Sequence, residues 1–238
     1  MPAGGAANER KNARLRTIAE RYAQLRAEVP SHVAIVAVSK LQPLDAVREA
    51  IAAGVTDIGD NYVQEARRRS VELAEVAGVR KHFIGHVQTN KAKMIATVFD
   101  VVQSVDRIEA GEALAKAARA LRKRLRVLVQ INISPVERYG CAPSQAQTLA
   151  AQLRAYEHLQ VDGVMAIGPM TPDREAIREA FARAASAWKS VGGPILSIGM
   201  SGDWREAVAA GSTMIRLGTA IFGPRPAPRT SKKSVMSP

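Results

Sequence analysis

Eight short strand-like runs, the first of them apolar and rich in β-branched residues, alternate with helix-like segments along most of this 238-residue chain. The runs occupy residues 33–39, 56–60, 80–86, 100–105, 127–133, 161–167, 194–199 and 213–218. Between them, helices are predicted to begin near Pro43, Asn61, Asn90, Asp106, Pro143, Pro172 and Gly202. This alternation is typical of buried parallel strands joined by helical crossovers. Eight such strands predict an α/β fold of the (β/α)8 TIM-barrel type, with an open doubly wound sheet as the alternative.

Two further segments flank the alternating region. Apolar residues recur at three- and four-residue steps from Leu15 to Val29, which predicts an extra amphipathic helix over residues 9–28, packed outside the barrel. The last residues are rich in Pro, Arg and Ser, as disordered tails are. We therefore predict one domain over residues 1–223, including the N-terminal helix, and a basic disordered tail over residues 224–238.

The formal net charge of +12 raises the question of a nucleic-acid partner. The basic residues are spread over both ends and one helical stretch, and only 4% of residues are aromatic, so no basic–aromatic stacking pattern is present. No uninterrupted apolar stretch is long enough to cross a bilayer. The lone cysteine, Cys141, leaves no internal disulfide. These features predict a cytoplasmic monomer without a specific nucleic-acid partner or membrane association.

Lys40 ends the first apolar run, which places its ammonium group at the carboxyl end of a predicted strand. Barrels and open α/β sheets build their ligand sites at these strand ends. A lysine desolvated by apolar walls gives up its proton more readily, and the free amine can attack a carbonyl to form a Schiff base. The alternative for a single lysine is a side chain that extends from the strand end into water.

The last two predicted strands end in small and hydroxyl-bearing residues, Gly199-Met200-Ser201-Gly202 and Gly218-Thr219. Small residues let backbone N–H groups approach an anion, and the hydroxyls of Ser201 and Thr219 can donate hydrogen bonds to it. Barrels often hold phosphate at the loops after strands seven and eight. Each glycine alone is more typical of a turn, but the two segments together predict a phosphate site.

A Schiff-base lysine on strand one and a phosphate site on strands seven and eight suit pyridoxal 5′-phosphate (PLP), which carries an aldehyde and a phosphate on one ring. Arg216 lies two residues before Gly218 and therefore faces the same side of its strand. A guanidinium donates hydrogen bonds without releasing its proton, so a pyridine nitrogen that faces it stays an unprotonated acceptor. The alternative for Arg216 is a salt bridge with Asp60 or Asp203 in the barrel mouth.

Five segments, in matching order, resemble the pyridoxal phosphate homeostasis protein family, whose members are single-domain relatives of the alanine racemase barrel. The segments are Ala37–Lys40, Gly59–Glu65, His82–Lys91, Gly199–Asp203 and Arg216–Gly223, and the resemblance covers roughly residues 9–225. It implies a fold-type III barrel in which a lysine carries PLP, an arginine faces the pyridine nitrogen, and the last two strand ends hold the phosphate. The cofactor-binding residues that it implies are Lys40, Asn61, Met165, Ser197, Ser201, Arg216, Gly218 and Thr219.

Three positions differ from the pattern that the resemblance implies. Asp60 stands where a glutamate is usual, and Gln42 and Arg138 stand where many members of the family have lysine. A secondary PLP contact through positions 42 and 138 is therefore left open.

The resemblance implies a function in PLP homeostasis, because the family is associated with low free PLP and with vitamin B6 and amino-acid balance. We expect a non-catalytic protein that carries or buffers PLP, with PLP-dependent apo-enzymes as candidate recipients. A PLP-dependent amino-acid racemase and a Schiff-base aldolase-type barrel are the alternatives. Racemases of this lineage add a second β-domain that supplies a base. That domain is not expected here, because the tail predicted after the eighth strand, residues 224–238, is only about fifteen residues long.

Overall fold

The structure is a computed structural model that describes residues 17–72 and 78–224, and in these residues eight parallel strands close into a barrel. The strands are β1 Ala34–Val38, β2 Asp57–Asp60, β3 Arg80–Phe83, β4 Val101–Val105, β5 Leu125–Asn132, β6 Leu159–Ile167, β7 Ile195–Ser197 and β8 Met214–Leu217. Each strand pairs with the next along the chain, and β8 pairs with β1. The predicted (β/α)8 barrel is confirmed, and the open doubly wound sheet is wrong.

Helices connect the strands and cover the outside of the barrel. They are α1 Ile18–Glu28, α2 Leu44–Ala52, α3 Val63–Glu72, α4 Ala92–Val98, α5 Ile108–Ala120, α6 Ala146–Arg154, α7 Arg174–Val191, α8 Trp204–Ala209 and α9 Thr219–Phe222. Short 3₁₀ turns at Thr89–Lys91 and Pro143–Gln145 precede α4 and α6. The short helix α9, after the last strand, was not predicted. Within residues 17–72 and 78–224, no helix has the length and apolar character needed to cross a membrane.

The longest helix shows how local sequence sets the element boundaries. Asp173 precedes α7 in an extended conformation, and its Oδ1 accepts hydrogen bonds from the N–H groups of Glu175 and Ala176 at 2.9 and 3.3 Å. This side-chain cap satisfies two of the N–H groups that a helix start leaves without partners. Gly192 follows the helix with a φ of 74°, a left-handed conformation that glycine adopts without a steric cost.

The strands are covered on both faces, as expected for a barrel. Every residue of β4 and of β8 is buried. Continuous burial of this kind explains why these two strands do not alternate between apolar and exposed polar residues, and why their polar residues, Gln103, Ser104 and Arg216, are buried too. The interior of the barrel holds a small apolar cluster of Val36, Leu128, Met165, Ile195 and Met214.

The N-terminal helix α1 packs outside the barrel, against α2 and α9. Its start has a capping box: Thr17 Oγ1 accepts from the N–H of Glu20 at 3.2 Å, and Glu20 Oε2 accepts from the N–H of Thr17 at 2.8 Å. Residues 9–16 of the predicted helix lie outside the described residues, as does the predicted tail beyond Pro224. The assignment of one domain to residues 1–223 stays a prediction.

Candidate functional site

A cavity of about 250 Å³ opens at the carboxyl end of the barrel, beside the ends of β1, β7 and β8. The residues that line it are Val38, Lys40, Gln42, Met200, Ser201, Gly202, Arg216, Gly218 and Thr219. The lysine, the arginine and the predicted phosphate segments therefore meet around one space. Met200 and Gly202 come from the predicted phosphate segment, and Gln42 is one of the two positions of the open secondary contact. Val38 also belongs to this lining, although it was not predicted as a site residue.

The other three predicted site residues lie outside this lining. Met165 is 1% exposed and packs in the apolar cluster inside the barrel. Ser197 is fully buried, and its Oγ accepts a hydrogen bond from Arg216 at 2.7 Å. Asn61 follows β2, and its Oδ1 is buried without a hydrogen-bond partner in the described structure. A contact of these three side chains with a cofactor stays a prediction.

Lys40 is followed by a strained turn. Leu41 has a φ of 61°, a left-handed conformation that costs a non-glycine residue roughly 1–2 kcal/mol. Its side chain is 59% exposed, so packing does not compensate for this cost. Instead, the Leu41 N–H donates to Glu65 Oε1 at 3.0 Å. Helix α3, which carries Glu65, therefore holds the turn that presents Lys40.

A buried ion cluster beneath this turn ties β1 to β2 and α3. Arg69 Nη1 donates to both carboxylate oxygens of Asp60 at 2.7 and 2.8 Å, and to Ser39 Oγ at 2.9 Å. Arg69 Nη2 donates to the backbone oxygen of Ser39 at 3.2 Å and to Glu65 Oε1 at 3.1 Å. Because Asp60 is paired with Arg69, the alternative in which Asp60 pairs with Arg216 is wrong.

Arg216 lies on β8 and is 4% exposed. Its Nη1 donates to the backbone oxygen and to the Oγ of Ser197, both at 2.7 Å, and its Nη2 donates to the backbone oxygen of Ala166 at 2.8 Å. Burial lowers the pKa of Arg216 to about 10, and the charge of Asp203 opposes this shift. The guanidinium therefore stays charged at neutral pH. Asp203 acts through this charge, and in the described structure it forms no ion pair with Arg216.

A line of hydrogen bonds continues from Arg216 through the interior of the barrel. Ser197 Oγ donates to Gln103 Oε1 at 2.7 Å, and Gln103 Nε2 lies 2.9 Å from His82 Nδ1. His82 Nε2 lies 2.8 Å from Asp57 Oδ1. Ser197, Gln103 and His82 are each 0% exposed. Roles for Gln103 and Asp57 were not predicted, although a polar residue within a buried strand is a signal for such a network.

His82 is neutral in this network. Burial lowers its pKa, and the hydrogen bond and charge of Asp57 oppose this shift only in part. Burial raises the pKa of Asp57, but the hydrogen bonds from His82 and Thr56 outweigh it, so the net pKa of Asp57 is lowered. The pair is therefore a neutral imidazole that donates through Nε2–H to an ionised carboxylate.

We expect the protein to lose stability as the pH falls below about 6.5, the ordinary histidine pKa. The unfolded chain protonates His82 near that pH, whereas the folded protein resists protonation until a lower pH. The unfolded state then binds more protons, so the free energy of unfolding decreases as the pH falls toward the folded-state pKa. Urea unfolding at about pH 7.5 and 5.5 measures this loss.

The matched variants assign the loss to one histidine. His82→Gln should lose less stability between the two pH values than the wild type does. His32→Gln, at an exposed position, should behave like the wild type. An equal pH-dependent loss in His82→Gln and the wild type would contradict the prediction.

Two backbone N–H groups converge on one oxygen atom at the end of β8. The N–H groups of Gly218 and Ala220 donate to Ser201 Oγ at 3.3 and 3.2 Å. This Oγ is the acceptor in both of these hydrogen bonds, so they do not use its own hydrogen. A Cβ added at Gly202 would meet no atom within 4 Å, so open space adjoins these donors. Both N–H groups are taken up by Ser201 Oγ in this arrangement, so the hydroxyl of Ser201 is the donor that an anion in this space would meet.

A second and larger cavity, of about 520 Å³, lies over the ends of β5 and β6. Its lining consists of Gln130, Ile131, Asn132, Glu137, Arg138, Tyr139 and Ile167. Tyr139 stacks on His86, with the ring centroids 3.9 Å apart. Lys40, Ser201 and Thr219 line the smaller cavity and not this one, so the predicted lysine and hydroxyl residues favour the smaller cavity as the candidate site.

This fold and this site define a barrel of the alanine racemase type, with a lysine after β1, an arginine on β8, and glycine and hydroxyl-bearing residues after β7 and β8. The family model of the alanine racemase N-terminal domain matches residues 13–226. The chain is 40% identical over 222 residues to the pyridoxal phosphate homeostasis protein of Pseudomonas aeruginosa, an alignment that covers 88% of this chain and 96% of that one. The chain belongs to the pyridoxal phosphate homeostasis protein family.

Other relatives and solved structures agree with this assignment. The pyridoxal phosphate homeostasis protein of Escherichia coli K12 is 38% identical over 208 residues, which are 82% of this chain and 87% of that one. PipY of Synechococcus elongatus, solved with PLP bound, superimposes with a TM-score of 0.81 at 35% identity and covers 87% of this chain and 100% of that one. Alanine racemase of Clostridium difficile, at 14% identity and a TM-score of 0.74, shares the fold over 90% of this chain and 58% of that one.

Proposed function

We propose that this protein binds PLP in the cavity beside β1, β7 and β8 and carries or buffers it in vitamin B6 and amino-acid homeostasis, without catalytic turnover. The observation that carries the proposal is the convergence of Lys40, Arg216 and the donors around Ser201 on one cavity. The bound PLP in PipY and the names of the relatives support it. Under this proposal the protein acts as a monomer, and PLP-dependent apo-enzymes receive the cofactor.

The proposal gives each part of the site one role. Lys40 holds the aldehyde end of PLP, and Ser201, Gly218 and Thr219 hold its phosphate. Arg216 donates to the ring nitrogen. PLP itself, when bound, supplies an electrophilic carbon and a ring that withdraws electrons from attached groups.

The three remaining predicted residues support the same site in different ways. Asn61 offers a buried Oδ1 with no partner in the described structure, which suits a donor on a ligand. Met165 fills the barrel interior, and Ser197 bonds to Arg216.

The non-catalytic part of the proposal rests on Arg216. Its guanidinium stays charged at neutral pH, since its pKa lies at about 10, and it is fixed by three hydrogen bonds. A charged guanidinium does not protonate a neighbouring nitrogen, so the ring nitrogen remains an acceptor. An unprotonated ring is a weaker electron sink, which disfavours removal of a proton from a bound amino acid.

Hydrogen exchange at the Cα of an amino acid tests this function. The PLP-loaded protein is incubated with L-alanine in deuterated water, and deuterium incorporation and the D-alanine content are measured. We expect incorporation to stay below one equivalent per protein. Deuterium in excess of the protein, together with racemic alanine and the loss of both in Lys40→Ala, would show that the protein is a racemase. A wild-type protein that takes up no PLP would contradict the binding function itself.

Removal of the hydroxyl donors should weaken PLP binding. A hydrogen bond to a charged group contributes about 1.5–3 kcal/mol, so Ser201→Ala and Thr219→Val are each expected to raise the Kd for PLP by about tenfold or more. Spectrophotometric titration of PLP-free protein measures the Kd. Thr219→Ser keeps the hydroxyl and should bind like the wild type. Unchanged affinity in both Ser201→Ala and Thr219→Val would place the phosphate elsewhere.

A further inference from the structure

In the hydrogen bonds that run inward from Arg216, only one assignment of donors and acceptors is possible. A guanidinium only donates, so Ser197 Oγ accepts from Arg216 and uses its own hydrogen for Gln103 Oε1. The Gln103 amide nitrogen then donates to His82 Nδ1, and His82 Nε2–H donates to the carboxylate of Asp57. Each group in the line therefore has its donor or acceptor role set by its neighbours.

Gln103 is fixed in this orientation by a third contact. Its Nε2 also donates to Met214 Sδ at 3.3 Å, so both amide hydrogens and the carbonyl oxygen have partners. At the far end, Arg80 Nη1 donates to Asp57 Oδ1 at 3.1 Å. The side chain of Arg80 is 48% exposed, so the line runs from the cavity to the surface at the amino end of the barrel.

Ser197, the first residue of this line of hydrogen bonds, fixes the position of the Arg216 guanidinium. Nη1 carries two hydrogens, and both go to Ser197, one to its backbone oxygen and one to its Oγ. With the Nη2 bond to Ala166, three of the five guanidinium hydrogens have partners in the described structure. The other two, one on Nε and one on Nη2, have no hydrogen-bond partner among the described residues, and Arg216 lines the cavity.

We propose that Ser197, Gln103 and His82 are positioning residues that orient Arg216 toward an acceptor in the cavity. This inference rests on the proposed function, under which that acceptor is the ring nitrogen of PLP. Hydrogen bonds to ring nitrogens tune the electronics of a cofactor. Under this proposal the buried line tunes the electronic state of bound PLP through Arg216.

The first measurement uses PLP-free protein and reports on Arg216 alone. The exchange of its Nη1 hydrogens with water is followed by ¹⁵N NMR, with the resonance assigned by its loss in Arg216→Lys. Exchange should be roughly tenfold faster in Ser197→Ala and in Gln103→Leu, because a hydrogen bond to a charged group changes an equilibrium by about that factor. Ser197→Thr keeps the hydroxyl and should restore slow exchange.

The second measurement uses PLP labelled with ¹⁵N in the ring. We expect the ring-nitrogen chemical shift to move in Ser197→Ala and Gln103→Leu and to return in Ser197→Thr. Ser212→Ala is the matched control. Ser212 is also a buried serine, and its Oγ bonds to the backbone oxygens of Leu196, Ile198 and Met214 instead of to Arg216. It should lose stability without changing the shift or the exchange rate.

The two measurements separate this inference from the proposed function. Wild-type exchange and a wild-type ring shift in folded Ser197→Ala would overturn the positioning role, and Gln103→Leu provides a second, independent variant. A wild-type protein that binds no PLP would refute the proposed function, whereas the exchange rates of the PLP-free variants would still decide whether the line orients Arg216.

Discussion

Lys40→Ala is expected to abolish the borohydride-stable attachment of PLP to this protein. Lys40 is the lysine that lines the cavity, beside Arg216 and the donors around Ser201. A covalent bond to the aldehyde carbon of PLP requires an amine, which alanine lacks. Reduction of the loaded protein, followed by peptide mass mapping, should place one pyridoxyl group on Lys40 in the wild type. In Lys40→Ala this signal should fall to the background of sub-stoichiometric surface labelling.

Lys123 supplies the matched control for this experiment. It is a partly buried lysine whose pKa is lowered by burial, and its Nζ donates to the backbone oxygen of Phe99 at 2.9 Å. A lowered pKa makes a lysine more reactive toward an aldehyde, so PLP would label Lys123 if the pKa alone decided which lysine reacts. Lys123→Ala should therefore retain full labelling at Lys40. Stoichiometric labelling of another residue in Lys40→Ala would show that the assignment is wrong.

Arg69→Met should lower the free energy of unfolding by about 3–5 kcal/mol, because it leaves a buried carboxylate without its partner. Both oxygens of Asp60 accept from Arg69, and the two side chains are 4% and 7% exposed. The same substitution removes the bonds from Arg69 to Ser39, next to Lys40. We therefore expect weaker PLP binding as well as a lower urea midpoint.

Two further variants test the cause of this loss. Arg68→Met, at the neighbouring exposed position of α3, should change stability by no more than about 0.5 kcal/mol. The double variant Asp60→Asn with Arg69→Met removes the unpaired charge and should recover part of the loss. If Arg69→Met costs no more than Arg68→Met, the buried ion cluster does not stabilise the fold.

The barrel could be predicted from the sequence because its strands are buried on both faces. Runs such as residues 33–39 are apolar throughout and bounded by turn residues, which is a strong local signal. The ends of parallel strands lie on one face of a barrel, so Lys40, Ser201 and Arg216 could be placed together from their positions in the runs. The structure brings these residues to one cavity.

Because the strands are buried on both faces, the polar interactions inside the fold could not be predicted from the sequence. Without an alternating pattern, the sequence does not indicate which way Asp60 or Gln103 faces, and their partners Arg69 and Ser197 lie on other elements. Ser197 is an example of a residue whose depth in the barrel could not be predicted from the sequence. It was expected to line the pocket, yet it is fully buried and bonded to Arg216, which itself lines the cavity. Depth inside a barrel depends on the register between strands, which is a property of the folded ring.

The pairing of β1 with β8 also has a consequence for how the chain reaches its folded state. This seam aligns Ala34 with Met214, and the Arg21 guanidinium on α1 contacts the backbone oxygen of Ile221, 200 positions away. Contacts between such distant residues give a high contact order, which is associated with slow folding. Until β8 is synthesised, one edge of β1 has no partner, and an open strand edge can pair with another chain. Ring closure should therefore be the late and aggregation-sensitive step of folding.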